Sequence, residues 1–307
     1  MTEQAAMRPA LITVDWGTSA WRAALWSQDG RLVEERQAPR GILEIPQGSF
    51  AQAWRELCGS WLESGATLCL MSGMIGSRQG WQEVPYLACP VTFDALASRV
   101  DFIEDATLPM RVGIAPGLQC EHDGLPDVMR GEEVQILGAA ALLGRTQGHF
   151  VLPGTHSKWA TMHDGAITGF RSYMTGEIYA LLRQQSILSR LMPPVEQDRL
   201  DEAAFLQGVR ASRDGSLLSQ IFSARTLGLM GRMSAQALPS YLSGLLIGAE
   251  VSSQALTQGG SEPIILVGAA GLVARYRLAA HEFALHCLEP SHSAAWAGLT
   301  RLAWACQ

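Results

Sequence analysis

The sequence predicts an α/β fold built from two related lobes. Strand-type segments alternate with helical patterns along its 307 residues, and such alternation is typical of α/β proteins. A strand, a Gly-Thr turn and a following hairpin occur twice, with the turns at Gly17-Thr18 and Gly154-Thr155. A repeat separated by nearly half the chain indicates duplicated lobes. The alternative is a chance similarity of two β-hairpins.

The first copy of the repeat occupies residues 11–39. Apolar and β-branched residues precede the glycine turn, and Asp29-Gly30 is a hairpin signal between two further strand-type runs. The predicted strands are Leu11–Asp15, Trp21–Trp26 and Arg31–Gln37. The second copy occupies residues 149–176 and has its hairpin signal at Asp164-Gly165. Its predicted strands are Phe150–Leu152, a strand containing Trp159, and Ala166–Tyr173.

Helical patterns follow and separate these hairpins. The predicted helices are Glu132–Gly144, Glu177–Leu191, Arg199–Leu229, Ser240–Thr257 and Ser293–Ala305. A buried type of strand is predicted at Ile264–Val267, and Gly268-Ala269-Ala270-Gly271 follows it directly.

Composition excludes several classes of protein. The chain has 23 basic and 29 acidic side chains and a net charge of −6, which argues against a nucleic-acid partner. The polar N-terminus and the absence of a long apolar run predict no signal peptide and no membrane span. Six cysteines without a C-x-x-C pair predict free thiols and a cytoplasmic protein.

Three strand-to-glycine turns are candidates for phosphate binding. They are DWGTS, LPGTHSK and VGAAG, and backbone N–H groups with hydroxyls in such turns can hold phosphate oxygens. Each turn alone is more typical of an ordinary tight turn. Together they resemble the nucleotide-binding motifs of the sugar kinase, heat-shock protein 70 and actin superfamily. That resemblance implies a two-lobed actin-like ATPase fold with ribonuclease H-like duplicated lobes and ATP in the cleft between them.

Four longer strings narrow the resemblance. SGMIGSRQGWQEVPY, MRGEEVQ, LPGTHSKW and FRSYMTGE are similar in order and spacing to the 2-dehydro-3-deoxygalactonokinase family. The resemblance implies a cytoplasmic bacterial enzyme of galactonate catabolism that uses ATP and Mg²⁺ to phosphorylate 2-dehydro-3-deoxy-D-galactonate at its 6-hydroxyl. The alternatives are a kinase of another sugar or sugar acid, such as 2-keto-3-deoxygluconate, and a non-enzymatic actin-like ATP-binding module. A homodimer is compatible with the sequence.

The resemblance also implies the division into lobes. Residues 1–130 would form the N-terminal lobe, with the first phosphate motif and the sugar-acid pocket, and residues 290–307 would join it as the C-terminal helix. Residues 131–289 would form the C-terminal lobe, with the second phosphate motif, the adenosine motif and a helical insertion.

The candidate catalytic residues are acidic. Asp15 ends a strand just before Gly17, where a carboxylate can hold Mg²⁺ directly or through water, or can simply cap the turn. A general base is required for the attacking hydroxyl. Related kinases place an acid, usually Asp, near the start of the connecting helix, so Glu132 is the preferred candidate and Glu133 the second. A glutamate there can also act on the helix dipole.

The remaining site residues group by ligand. The ATP phosphates are assigned to Gly17, Thr18, Ser19, Gly154, Thr155, His156, Ser157 and Lys158, and adenosine to Gly268, Ala269 and Gly271. The substrate is assigned to Ser72, Gly73, Met74, Arg78, Trp81, Arg171, Thr175 and Glu177. Lys158 is the only lysine in the sequence, whereas 22 arginines are present. We therefore expect its ammonium to approach the phosphates or the substrate carboxylate, with a structural salt bridge as the alternative.

Overall fold

The computed structural model describes residues 10–197, 199–213, 216–255 and 262–307, and it confirms the mixed α/β class. In chain order the strands are β1 (Leu11–Trp16), β2 (Trp21–Trp26), β3 (Leu32–Ala38), β4 (Leu68–Ser72), β5 (Leu87–Ala88), β6 (Val91–Thr92), β7 (Asp101–Phe102), β8 (Arg111–Ile114), β9 (Leu118–His122), β10 (Leu125–Met129), β11 (Gly148–Leu152), β12 (Ser157–His163), β13 (Ala166–Tyr173), β14 (Ile264–Leu266) and β15 (Cys287–Leu288). The helices are α1 (Phe50–Cys58), α2 (Phe93–Ala97), α3 (Glu132–Leu143), α4 (Thr175–Gln185), α5 (Glu202–Ala211), α6 (Leu217–Ile221), α7 (Ser223–Leu229), α8 (Leu238–Ala255), α9 (Ala270–Glu282) and α10 (Ala294–Ala305).

The described chain divides into two compact units. The first contains the residues up to Gln147 with Thr161–Phe170 and Pro290–Gln307, and the second contains Gly148–Ala160 and the described part of Arg171–Glu289. The unit boundary follows α3, and residues 290–307 group with the first unit. The division into lobes that the resemblance implied stays a prediction.

The first unit is built on a sheet of strand order β3-β2-β1-β4-β8-β7. Strand β1 runs antiparallel to β2 and parallel to β4, and this register sets Asp15 beside Ser72 at the carboxyl ends of two central strands. Buried Trp16, Phe50 and Trp54 pack against the sheet and contribute to its apolar core. Helices α3 and α10 lie so close that a Cβ on Gly138 would be 1.9 Å from the carbonyl oxygen of Ala294.

The second unit contains strands in the order β15-β14-β11-β12, with β14 parallel to both β11 and β15. Helices α5 and α8 touch through glycine, since a Cβ on Gly244 would lie 1.9 Å from the carbonyl oxygen of Phe205. Val151, Phe205 and Ile247 are buried in the core between strands and helices of this unit. This packing sets the end of β11 and the start of α9 beside one another.

Two predicted helices were wrong in extent. The segment Glu177–Leu191 is α4 followed by a 3₁₀ turn, because Ser186 adopts an extended backbone and its hydroxyl accepts the N–H of Leu188 at 3.1 Å. The segment Arg199–Leu229 is not one helix but α5, α6 and α7. Asp201 begins α5 by accepting the N–H of Ala204 at 3.0 Å.

The other helices begin and end within two residues of their predicted bounds where the structure describes them. The predicted end of the helix at Ser240–Thr257 lies outside the described residues. Both hairpin turns are confirmed, and Asp164 and Gly165 have the positive φ values of +48° and +76° that this two-residue turn requires.

Candidate active site

The first glycine turn leaves β1 in the first unit. The N–H of Gly17 donates to the carbonyl oxygen of Ala20 at 2.9 Å, which closes the turn and leaves Thr18 and Ser19 exposed. Asp15 is partly buried at the strand end, with 14% of its side chain exposed, and forms an ion pair with Arg22. The turn therefore presents hydroxyls to solvent beside one carboxylate.

Two further chain segments converge on Asp15. Gly73 has a φ of +94°, and a Cβ there would lie 3.3 Å from Oδ1 of Asp15. Gly131 has a φ of +105°, and a Cβ there would lie 3.1 Å from Cα of Gly73. Only glycine accommodates both the backbone conformation and the close approach. The end of β1, the turn after β4 and the start of α3 therefore meet, and they bring Ser72 and Glu132 into one neighbourhood.

The two glutamates of α3 have different environments. Glu133 is fully buried, and both of its carboxylate oxygens accept the N–H of Gly131. Burial, followed by the charge of Glu132, raises the pKa of Glu133 to about 8. Glu132 is partly exposed, and its carboxylate accepts the N–H of Arg130 at 2.9 Å. Of the two acids, Glu132 is the one that a substrate hydroxyl can reach.

Two predicted substrate residues of the first unit, Arg78 and Trp81, have other partners. Arg78 has 86% of its side chain exposed and pairs with Glu83 at 3.5 Å. Trp81 packs against the core, with its ring centroid 6.0 Å from that of Trp54. Ser72 is buried at the strand end, and Met74 begins a 3₁₀ turn beside it. Arg78 and Trp81 are therefore better explained by an exposed ion pair and by core packing.

Arg130 was missed by reasoning from sequence, although it precedes both glutamates. It is buried, its Nη2 donates to the carbonyl oxygen of Val84 at 2.7 Å, and its guanidinium lies 4.2 Å from the ring centroid of Tyr86. Within the described part of the chain its Nε and Nη1 have no hydrogen-bond partner. The only sequence signal was its place in the MRGEEVQ string.

The second glycine turn joins β11 to β12 in the second unit. Thr155 and His156 are exposed, whereas Ser157 and Lys158 are buried. His156 pairs through Nε2 with the carboxylate of Glu177, and Lys158 donates to the hydroxyl of Ser172. The exposed part of this turn can meet a phosphate, but the side chains of Ser157 and Lys158 lie within the protein. Arg171, also assigned to the substrate, is exposed on β13.

A buried acid on α8 was also missed. The carboxylate of Glu250 accepts hydrogen bonds from the side chains of Ser157, Trp159, Thr175 and Tyr276. The hydroxyls of Ser157 and Thr175 are therefore directed at this carboxylate. No sequence motif links Glu250 to these residues.

A cavity of about 290 Å³ lies within the second unit. Four chain segments line it: the β11–β12 turn and helices α4, α8 and α9. The lining residues are Gly154, Thr155, Thr175, Gly176, Tyr179, Ala180, Ser243, Leu246, Ile247, Leu272, Arg275 and Tyr276. Gly268, Ala269 and Gly271 are exposed where α9 begins, directly before Leu272, the first α9 residue that lines the cavity. The volume approaches the lower limit of small-molecule pockets, and apolar groups surround one guanidinium.

Comparison with known proteins decides the family. The family profile described as 2-keto-3-deoxy-galactonokinase matches residues 15–302. The chain belongs to this family. It is 35% identical to the 2-dehydro-3-deoxygalactonokinase of Escherichia coli K12 over 274 residues, which cover 89% of this chain and 90% of that one.

Solved structures agree with the family and with the predicted fold. A Sinorhizobium meliloti protein proposed to be a 2-dehydro-3-deoxygalactonokinase superposes with a TM-score of 0.88 at 33% identity, covering 96% of this chain and 98% of that one. Ligand-bound xylulose kinase from Lactobacillus acidophilus superposes with a TM-score of 0.51 at 9% identity, covering 97% and 89% of the two chains. The actin-like sugar kinase fold expected from the sequence is thereby confirmed.

In the described ranges of the chain, no helix has both the length and the apolar character needed to cross a bilayer. In the same ranges, no group of three or more acidic, His or Cys side chains could hold a metal ion.

Proposed function

We propose that the protein transfers the γ-phosphoryl group of ATP to the 6-hydroxyl of 2-dehydro-3-deoxy-D-galactonate, a step of galactonate catabolism. The observation that carries the proposal is its 35% identity to a protein of that activity over 89% of the chain. The site agrees with it, since phosphoryl transfer needs phosphate-binding turns, a base and positioning rather than a covalent intermediate.

ATP is the proposed phosphoryl donor, and the second unit supplies groups for it. The cavity among α4, α8 and α9 suits a nucleoside, because its walls are apolar and Arg275 and Ser243 add polar groups at one side. Gly154 and Thr155 line the same cavity, and their backbone N–H groups would meet the phosphates. In the first unit, Gly17, Thr18 and Ser19 are proposed for the phosphates as well.

Mg²⁺ is the proposed metal, and Asp15 fits it. Mg²⁺ in kinases takes one or two carboxylates and completes its shell with water and phosphate oxygens. Asp15 offers one partly exposed carboxylate, which in this structure is paired with Arg22. When bound, the ion would neutralise charge on the phosphates.

Glu132 is the proposed general base. Its partly exposed carboxylate would accept the proton of the 6-hydroxyl as that oxygen bonds to the γ-phosphorus, while the bond from phosphorus to the β,γ-bridging oxygen breaks and ADP leaves. Glu133 would instead hold the start of α3 through Gly131. Arg171 is the proposed partner of the substrate's carboxylate. It is preferred to Arg78 because Arg78 is paired with Glu83.

A panel of acceptors tests the proposal. Purified protein with ATP and Mg²⁺ should release ADP with 2-dehydro-3-deoxygalactonate, more slowly with the gluconate isomer, and at background rate with glucose or without acceptor. Turnover of glucose without turnover of either acid would contradict the substrate assignment. ADP release that is equally fast without acceptor would indicate an ATPase instead.

The cytoplasmic location, supported by six free cysteines, and a homodimer stay predictions.

A further inference from the structure

Glu250 is a buried carboxylate at the centre of the second unit. Only 3% of the residue is exposed. Its Oε1 accepts the hydroxyl of Ser157 at 2.8 Å and the indole N–H of Trp159 at 2.7 Å. Its Oε2 accepts the hydroxyl of Tyr276 at 2.8 Å and that of Thr175. Burial raises the pKa of Glu250, and the four donors on its two oxygens offset part of the cost of removing the carboxylate from water.

The four donors come from the chain segments that surround the cavity. Ser157 and Trp159 begin β12 directly after the glycine turn, Thr175 begins α4, and Tyr276 lies on α9. Thr175 and Tyr276 themselves line the cavity. Hydrogen bonds to Glu250 therefore connect β12, α4 and α9 to α8.

The start of α4 also touches the glycine turn. A Cβ on Gly176 would lie 2.3 Å from the carbonyl oxygen of Gly154, and the N–H of Glu177 donates to the carbonyl oxygen of Thr155 at 3.0 Å. A displacement of Thr175 would therefore move the backbone of the turn. The backbone of this turn borders the cavity proposed for the nucleotide.

We infer that Glu250 is a positioning residue for the nucleotide: its carboxylate holds the β11–β12 turn, the start of α4 and α9 in the arrangement that binds ATP. The inference rests on the proposed function only in naming ATP as the ligand. It makes no use of Glu250 as a base or a metal ligand, since the carboxylate is sealed from solvent by its four donors. Its effect should appear in nucleotide affinity rather than in the affinity for the sugar acid.

Glu250→Gln is the test variant and Glu282→Gln the matched control. Gln keeps the size of the side chain and one acceptor oxygen, but its NH₂ group replaces an oxygen that accepts two of the four hydrogen bonds. Glu282 lies in the same unit and pairs with Arg210 at 2.7 Å, so its substitution also removes a charge and an ion pair. We expect Glu250→Gln to raise the Kd for ADP with Mg²⁺ and the KM for ATP at least about tenfold. The KM for the acid should change less than about threefold, and Glu282→Gln should change none of these values more than twofold.

A purely structural role would give a different pattern. A lower melting temperature and fewer active molecules, with unchanged Kd for ADP and KM for ATP in the folded fraction, would overturn the inference. If Glu250→Gln is too unstable, Thr175→Val removes one donor to the same carboxylate and should also weaken ADP binding; normal binding would overturn the inference. Calorimetric binding of ADP does not depend on turnover. A wild-type protein that binds ADP but phosphorylates neither acid would therefore contradict the proposed function and leave the inference about Glu250 standing.

Discussion

Glu133 accepts the backbone N–H of Gly131 through both carboxylate oxygens, at 2.9 and 2.8 Å. The acid therefore folds back over the start of its own helix and is removed from solvent. Its neighbour Glu132 stays partly exposed at the same helix start. Two adjacent glutamates thus differ in burial and in their partners.

Substitution of the two glutamates should have different effects on kcat. Glu132→Gln should lower kcat at saturating ATP and acid by at least about 100-fold, the effect typical of a lost general base. Glu133→Gln keeps an acceptor for the N–H of Gly131 and should lower kcat less than about tenfold. Steady-state rates of ADP release measure both. A larger loss in Glu133→Gln would transfer the role of base to Glu133, and small losses in both would exclude α3 as its source.

Stability should depend on pH through Glu133. Its pKa is raised from the ordinary 4.5 to about 8 by burial. Between these values the unfolded chain has released this proton and the folded chain retains it. The free energy of unfolding therefore falls as pH rises, by at most about 1.4 kcal/mol per pH unit. Above pH 8 this contribution is constant. Glu133→Gln should lack it.

Urea unfolding of wild type and Glu133→Gln at several pH values from 5 to 9 measures that contribution as the difference between the two proteins. The variant should gain stability relative to wild type up to about pH 8. If the free energies of unfolding of the two proteins change with pH in parallel, Glu133 has the same pKa in the folded protein as in the unfolded chain.

Gly131→Ala should lower the free energy of unfolding more than an ordinary glycine substitution does. The added methyl group would lie 3.1 Å from Cα of Gly73, at a φ of +105°. Gly144 is the control, because its φ is +61° and a Cβ there meets nothing within 4 Å. Gly144→Ala should cost about 1 kcal/mol of unfolding free energy, as a left-handed residue does, and Gly131→Ala at least twice that. Equal costs would show that the contact with Gly73 relaxes freely.

Lys158→Arg should impair activity while the fold persists. Lys158 is buried and donates to Ser172, and a planar guanidinium cannot take the place of a compact ammonium there. We expect kcat/KM for ATP to fall at least about tenfold, with an unchanged circular dichroism spectrum. Ser172→Ala removes the same hydrogen bond but keeps the ammonium, and it should retain more activity than Lys158→Arg. Full activity in Lys158→Arg would refute a functional reason for this single lysine.

The repeated hairpins could be predicted because their signals are local. Asp164-Gly165 and Gly17-Thr18 mark turns by residue type alone, and the strands on either side follow from apolar runs. The breaks within residues 199–229 were missed because the helical periodicity continues across them, whereas α5 ends at Ala211 and α6 begins at Leu217. Periodicity alone therefore did not predict where these helices end.

The interior of the site could not be predicted in the same way. Ser157 and Thr175 have hydroxyls that the sequence assigned to phosphate and substrate. The structure directs both of them at Glu250, which lies 93 and 75 positions away in the sequence. Trp81 stood in a string typical of the family, yet it packs against Trp54. A motif locates a segment at a site, but the partner of each side chain depends on the packing of distant helices.

The most direct test of the account is the identity of the phosphorylated product. One equivalent of ATP with Mg²⁺, 2-dehydro-3-deoxygalactonate and the purified protein should give ADP and a sugar acid whose phosphorus is coupled to the C6 protons in NMR spectra. Mass spectrometry should show one added phosphate. Inorganic phosphate as the main phosphorus product, or a phosphate on another oxygen of the acid, would contradict the proposed reaction.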